Sequence, residues 1–99
     1  MPHRETLNQL RTLKEQATDK SMTSYQASQG IKQALDLASS LPKIKDIEMN
    51  VEFASYIKQY QDAVEFRVFT NSDLLSFCKT ILKIWDNYLK VQDKYQNNY

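Results

Sequence analysis

The stretch "FTNSDLLSFCKTILKIWDNYLK", Phe69 to Lys90, decides the fold. Thr70 and Asp73 have capping-box spacing, with Asp where Glu or Gln is usual, and Phe69 and Leu74 occupy the two positions of a hydrophobic staple. At about 100° per residue, Leu74, Leu75, Phe77, Cys78, Ile81, Leu82, Trp85, Tyr88, Leu89 and Tyr95 share one broad face. Ser76, Lys79, Lys83, Asn87, Lys90 and Lys94 fall on the other. A helix so divided needs other elements to bury its apolar side, and the spacing predicts a helix over about 71–96.

Three further segments read as helices that supply that cover. Pro2 suits a first helical turn, and Leu7, Leu10, Leu13 and Ala17 mark one face, predicting a helix over about 2–18. After the polar "TDKSM", Thr23 and Gln26 form a capping box that opens a helix over about 24–40. Its apolar side carries Ala27, Ile31, Ala34, Leu35, Ala38 and Leu41, and Pro42 disfavours helical geometry at Leu41. "LPKIK" is the next connection.

The third helix, about 46–64, carries two competing stripes. Met49, Phe53, Tyr56, Ile57, Tyr60 and Val64 stay apolar or aromatic for four turns and are assigned to the core. Ile47 and Val51 then lie off the main face, covered by the preceding loop or left for a partner. "VEFRVF" alternates like a strand but has no sheet partner in the sequence, so it reads as the helix exit and a loop. Short polar connections return each helix beside its predecessor, so the expected fold is all-α, an antiparallel up-and-down four-helix bundle in a single domain over residues 1–99.

Composition is consistent with this. One glycine and two prolines in 99 residues are too few for the turns of a small β-sandwich or barrel. The net charge of +1 lacks the basic excess that drives phosphate-backbone binding, so no nucleic-acid partner is expected. Charges in "MPHRETLNQLRT" replace the apolar core of a secretory signal, no apolar run approaches the roughly 20 residues of a membrane span, and one cysteine cannot form an internal disulfide. A cytoplasmic protein is expected. Residues 1–45 carry net +3 and residues 46–99 net −2, weak evidence for complementary faces.

Chemistry is sparsely supplied. His3 is the only histidine, in a first turn expected to be solvated, and with one cysteine it makes no metal set. Cys78 lies on the apolar face between Leu74 and Leu82, away from any base or helix start that would activate it, and reads as packing. Glu48 and Glu52 read as a solvated acidic face rather than an acid–base pair, and Gly30 alone makes no phosphate cradle. Trp85 and Tyr88 read as core, not a binding cage. Lys79, Lys83, Lys90 and Lys94 form a stripe on which Asp86 and Asp93 intrude, the ordinary outer face of a bundle helix or a weakly basic partner surface. No catalytic residue, cofactor or metal is expected.

The run "FRVFTNSDLLSFCKTILKIW", with the aromatic helix before it, resembles immunity proteins against pediocin-like (class IIa) bacteriocins, of the enterocin A immunity family. The likeness covers residues 47–85 best and the rest of the chain loosely, and "VQDKYQNNY" is shorter and more polar than in several members. The resemblance implies four helices and a non-enzymatic cytoplasmic protein that protects its host by acting at the mannose phosphotransferase permease engaged by the bacteriocin, peripherally at the inner face of the membrane. It also implies that specificity resides in the C-terminal half. Within that half, Arg67, Lys79, Lys83, Lys90, Lys94, Tyr95 and Tyr99 are the candidate contacts, and a monomer is expected rather than a dimer. The alternative is a small intracellular helical interaction or regulatory module using Ile47 and Val51.

Overall fold

The computed structural model of the chain describes residues 2–96. Helices α1 (Pro2–Gln16), α2 (Ser24–Ser39), α3 (Ile47–Ala63) and α4 (Asn71–Gln96) form an antiparallel up-and-down bundle of 50 × 24 × 19 Å. Local chemistry sets the starts. Thr23 accepts from the Gln26 backbone N–H while the Gln26 side chain accepts from the Thr23 N–H, and Asp46 caps α3 by accepting from Met49 N–H. At α4 the Asp73 carboxylate accepts from Thr70 N–H at 2.9 Å, and Thr70 Oγ1 accepts from Asp73 N–H at 3.3 Å. Shorter aspartate therefore completes the box that glutamate usually closes. The α1–α2 connection is tightened by Asp19, whose Oδ1 accepts from both the N–H and the hydroxyl of Ser21.

Packing follows the apolar faces. α4 lies against all three other helices, α2 touches every other helix, and α1 and α3 sit on opposite sides of the α2–α4 pair without meeting. Leu7, Leu10 and Leu13 of α1, Ile31 and Leu35 of α2, Phe53 and Ile57 of α3, and the α4 row from Leu74 to Tyr88 share one core. Among the described residues that core contains no buried charged side chain. Burial of this kind is the dominant stabilisation of such a domain, at roughly 25 cal/mol per Å² of apolar surface removed from water. Aromatic rings fill the α3–α4 seam: Tyr60 sits 4.6 Å from Phe77 and 5.9 Å from Phe69, and Tyr56 stacks on Phe77 at 5.7 Å.

Gly30 explains the closeness of α2 to α4. A Cβ at this position would lie 2.5 Å from Leu74 Cδ2, so the missing side chain is the space the leucine occupies. Glycine within a helix costs about 1 kcal/mol relative to alanine, and the close approach offsets that cost.

Several expectations are refined. α1 ends at Gln16, earlier than the periodicity implied, because residues 17–21 turn towards α2. Ile44, inside the "LPKIK" connection, is 1% exposed, held where Lys45 N–H donates to the Tyr88 hydroxyl at 3.1 Å. Ile84 is buried on the α3 side of α4, beside Met49, although it lies off the centre of the apolar face. Ile47 and Val51 are not covered by the preceding loop: they are 82% and 59% exposed. "VEFRVF" forms turns and an irregular segment, with Phe66 and Val68 exposed and Phe69 fully buried.

Candidate functional site

Lys79, Lys83 and Lys90 are exposed along the outer face of α4. Eleven positions separate the first from the last, so at 1.5 Å rise per residue the row is about 16 Å long. Asp86, the carboxylate within the row, is turned towards α1, where Arg11 Nη2 lies 3.4 Å from its Oδ1. Among the described residues no carboxylate reaches ion-pair distance of Lys79 or Lys83. Lys83 also borders a shallow depression of about 200 Å³ with Glu52, Met49, Thr80 and Asn87, so α3 lends one acid to the rim of the basic row.

Arg67 belongs to different geometry. Its Nη2 donates to Asp73 Oδ1 at 3.0 Å and its guanidinium lies 5.0 Å above the Phe69 ring. It therefore holds the α3–α4 turn to the α4 capping box, at the opposite end of α4 from Lys90. The same turn is tied to its neighbours by Phe69 N–H donating to Ser28 Oγ and Asn71 Nδ2 donating to the Ala17 carbonyl. The fold thus brings Lys79, Lys83 and Lys90 into one row and leaves Arg67 outside it. The side chains of Lys94 and Tyr95, and Tyr99 entirely, lie outside the described residues.

The other chemical candidates take structural positions. Cys78 is fully buried, and desolvation pushes its thiol up from 9.0 to about 12 despite a weak opposing pull from Lys14. A thiol so placed stays protonated at neutral pH and is not an activated nucleophile. Burial also raises Tyr60, helped by its hydrogen-bonded neighbour Tyr56. Trp85 and Tyr88 are core residues at 1% and 5% exposure. The Tyr88 hydroxyl accepts from Lys45 N–H and from Gln92 Nε2, whereas Trp85 Nε1 is buried with no partner among the described residues. His3 departs from expectation: its ring lies 5.8 Å from Trp85 and is half-buried, because α1 starts level with that tryptophan. Glu48 and Glu52 are exposed, and among the described residues no group of three or more His, Cys, Asp or Glu gathers as a metal set.

Sequence reasoning missed one feature. Between α1 and α2 runs a groove of about 500 Å³, floored by Leu13, Gly30 and Leu74 and walled by glutamines. Its signal was present as the repeat Gln26, Gln29, Gln33 on the polar side of α2, which periodicity alone reads as an ordinary solvated face. No helix among the described residues is long and apolar enough to cross a membrane. Comparison of the chain with protein-family models, with curated proteins and with solved structures returns no match.

Proposed function

We propose that this chain is a non-catalytic bacteriocin immunity protein. It acts in the cytoplasm by docking the outer face of α4 on a membrane permease of the mannose phosphotransferase type that is engaged by a pediocin-like bacteriocin. The observation that carries this reading is the exposed lysine row Lys79, Lys83 and Lys90, whose intervening acid Asp86 is engaged by Arg11. The four-helix fold and the likeness over residues 47–85 support it.

Magnitude favours a protein partner over bare lipid. Each lysine near an anionic membrane contributes about 1 kcal/mol, so three contribute about 3 kcal/mol, less than the roughly 4 kcal/mol of a millimolar affinity. Docking therefore needs contacts that a permease surface supplies and a lipid surface does not.

The test is survival of a bacteriocin-sensitive strain expressing the chain, challenged with a panel of pediocin-like peptides against an empty-vector control. Protection against one or a few peptides is expected, and Lys83→Glu with Lys90→Glu should abolish it while leaving the helical circular dichroism unchanged. Full protection by that folded double variant would remove the lysine row from the mechanism. No protection by the folded wild-type chain across the panel would remove the immunity reading itself.

A second reading rests on Ile47 and Val51, two β-branched residues exposed on the outer side of α3. Apolar pairs left in water suit a small interaction module. Sedimentation at rising concentration separates the two: a dimer dissolved by Val51→Lys supports the module, and a monomer throughout supports immunity.

A further inference from the structure

We infer that the groove between α1 and α2 is a docking site for a basic amphipathic peptide helix. The inference is independent of the reading above, since none of the lysines of the α4 row lines the groove. Its floor, Leu13, Leu74 and the backbone of Gly30, is apolar and nearly closed to solvent, and the apolar surface it offers comes from half-buried Met22 and from Tyr25, 73% exposed. At about 500 Å³ it falls within the 300–1,000 Å³ of clefts that hold ligands.

The walls select the occupant. Gln26, Gln29 and Gln33 stand three and four positions apart, so their amides repeat at about 4.5–6 Å, close to the 5.4 Å pitch of a second helix laid alongside. Among the described residues the side-chain amides of Gln29 and Gln33 make no hydrogen bond, and that of Gln26 uses only its Oε1, which accepts from Thr23 N–H. Donors and acceptors are therefore open to a partner's polar flank. An apolar stripe on that partner would meet Tyr25 and Met22 above the closed floor, which is the helix-in-groove mode of recognition.

Charge then fixes the sign. Residues 1–45 hold seven Lys or Arg and four Asp or Glu, yet the groove lining takes two of those acids, Glu15 and Asp19, and none of the bases. Lys14, between two lining residues in sequence, is not part of the lining. Asp19 is held ionised by its two hydrogen bonds from Ser21. A local excess of positive charge has thus been kept out of the groove, and lysine or arginine on an incoming helix meets only carboxylates and amides.

The experiment is an NMR titration of the ¹⁵N-labelled full chain with three synthetic peptides of roughly 14 residues, about four helical turns. One is a leucine–lysine amphipathic helix, the second replaces every lysine by glutamate, and the third is a lysine–glycine coil of equal charge. Saturable shifts at Gly30 and the side-chain amides of Gln26, Gln29 and Gln33 are expected for the first peptide alone. Glu15→Lys with Asp19→Lys should weaken it roughly tenfold at low salt. Because Asp19 also shapes the α1–α2 connection, Gln29→Lys, at an exposed helical position, provides a second variant that should weaken binding without touching the loop. Any of four results overturns the inference: no saturable shift, equal binding of the acidic peptide or the coil, shifts centred on Glu48 and Glu52, or concentration-dependent shifts of the groove signals without peptide, which would identify a second copy of the chain as the occupant.

Discussion

Gly30 and Leu74 form a close junction between α2 and α4, and they predict a mutation whose sign depends on its partner. Alanine at position 30 gains about 1 kcal/mol of helix preference over glycine. Against that, its Cβ would sit 2.5 Å from Leu74 Cδ2, so this methyl must move within a closed core, while Cδ1 and Cγ at 3.4 and 3.5 Å stay in ordinary contact. Leu74 is 1% exposed, and overpacking a core of this kind costs about 1–3 kcal/mol. Gly30→Ala alone should therefore destabilise the protein by about 0–2 kcal/mol. Leu74→Ala alone should cost about 2–5 kcal/mol through lost burial and a cavity. In the Leu74→Ala background the clash no longer exists, so adding Gly30→Ala should stabilise by about 1 kcal/mol, a coupling of about 1–3 kcal/mol. Urea unfolding followed by the fluorescence of Trp85, the single tryptophan, measures all four corners of the cycle. Equal effects of Gly30→Ala in the two backgrounds would refute the close-approach account of this glycine.

Other consequences are simpler to state. Thr70→Ala removes the side-chain half of the α4 capping box and should lower stability by about 1 kcal/mol in the same urea assay, with Thr70→Ser restoring most of it. Tyr88→Phe takes away the acceptor for Lys45 N–H and should cost about 1 kcal/mol, read as faster amide hydrogen exchange at Lys45 as well as lower stability. Cys78 should resist a water-soluble disulfide reagent in the native state and react only as fast as the protein opens, so rapid labelling without denaturant would contradict its burial. Its raised pKa gives a pH signature. Below pH 9 the thiol is protonated in both folded and unfolded chains, whereas from 9.0 towards about 12 only the unfolded chain ionises. The stability linked to this group is therefore complete below pH 9 and lost as pH rises through that window, and Cys78→Ala should flatten that part of the profile.

Much of the architecture was legible because it is written in interactions spanning one helical turn. Thr23 with Gln26 and Thr70 with Asp73 bring donor and acceptor together within three residues, so they mark helix starts without reference to anything distant, whereas the cap that Asp46 makes to Met49 N–H emerged only in the structure. The α4 apolar face and the choice of the Phe53–Ile57 stripe over Ile47 and Val51 followed equally from angular position. The lysine row was legible for the same reason, since Lys79, Lys83 and Lys90 share one direction on a single helix. What joins or separates such residues across the bundle was not: Arg67 was grouped with the lysines as an exposed base of the C-terminal half, yet its guanidinium is committed to Asp73 and Phe69.

The sequence by itself determined four helices, where they start and which sides they bury, because capping and amphipathicity depend on neighbours three and four residues away. Only the tertiary structure decided that Ile44 is buried inside a connection, that Ile84 is covered from the flank by α3, that His3 rests on Trp85, and that Gly30 and Leu74 floor a groove walled by glutamines. Each of those outcomes depends on which surface arrives from tens of residues away and at what distance. No periodicity within a single helix carries that information.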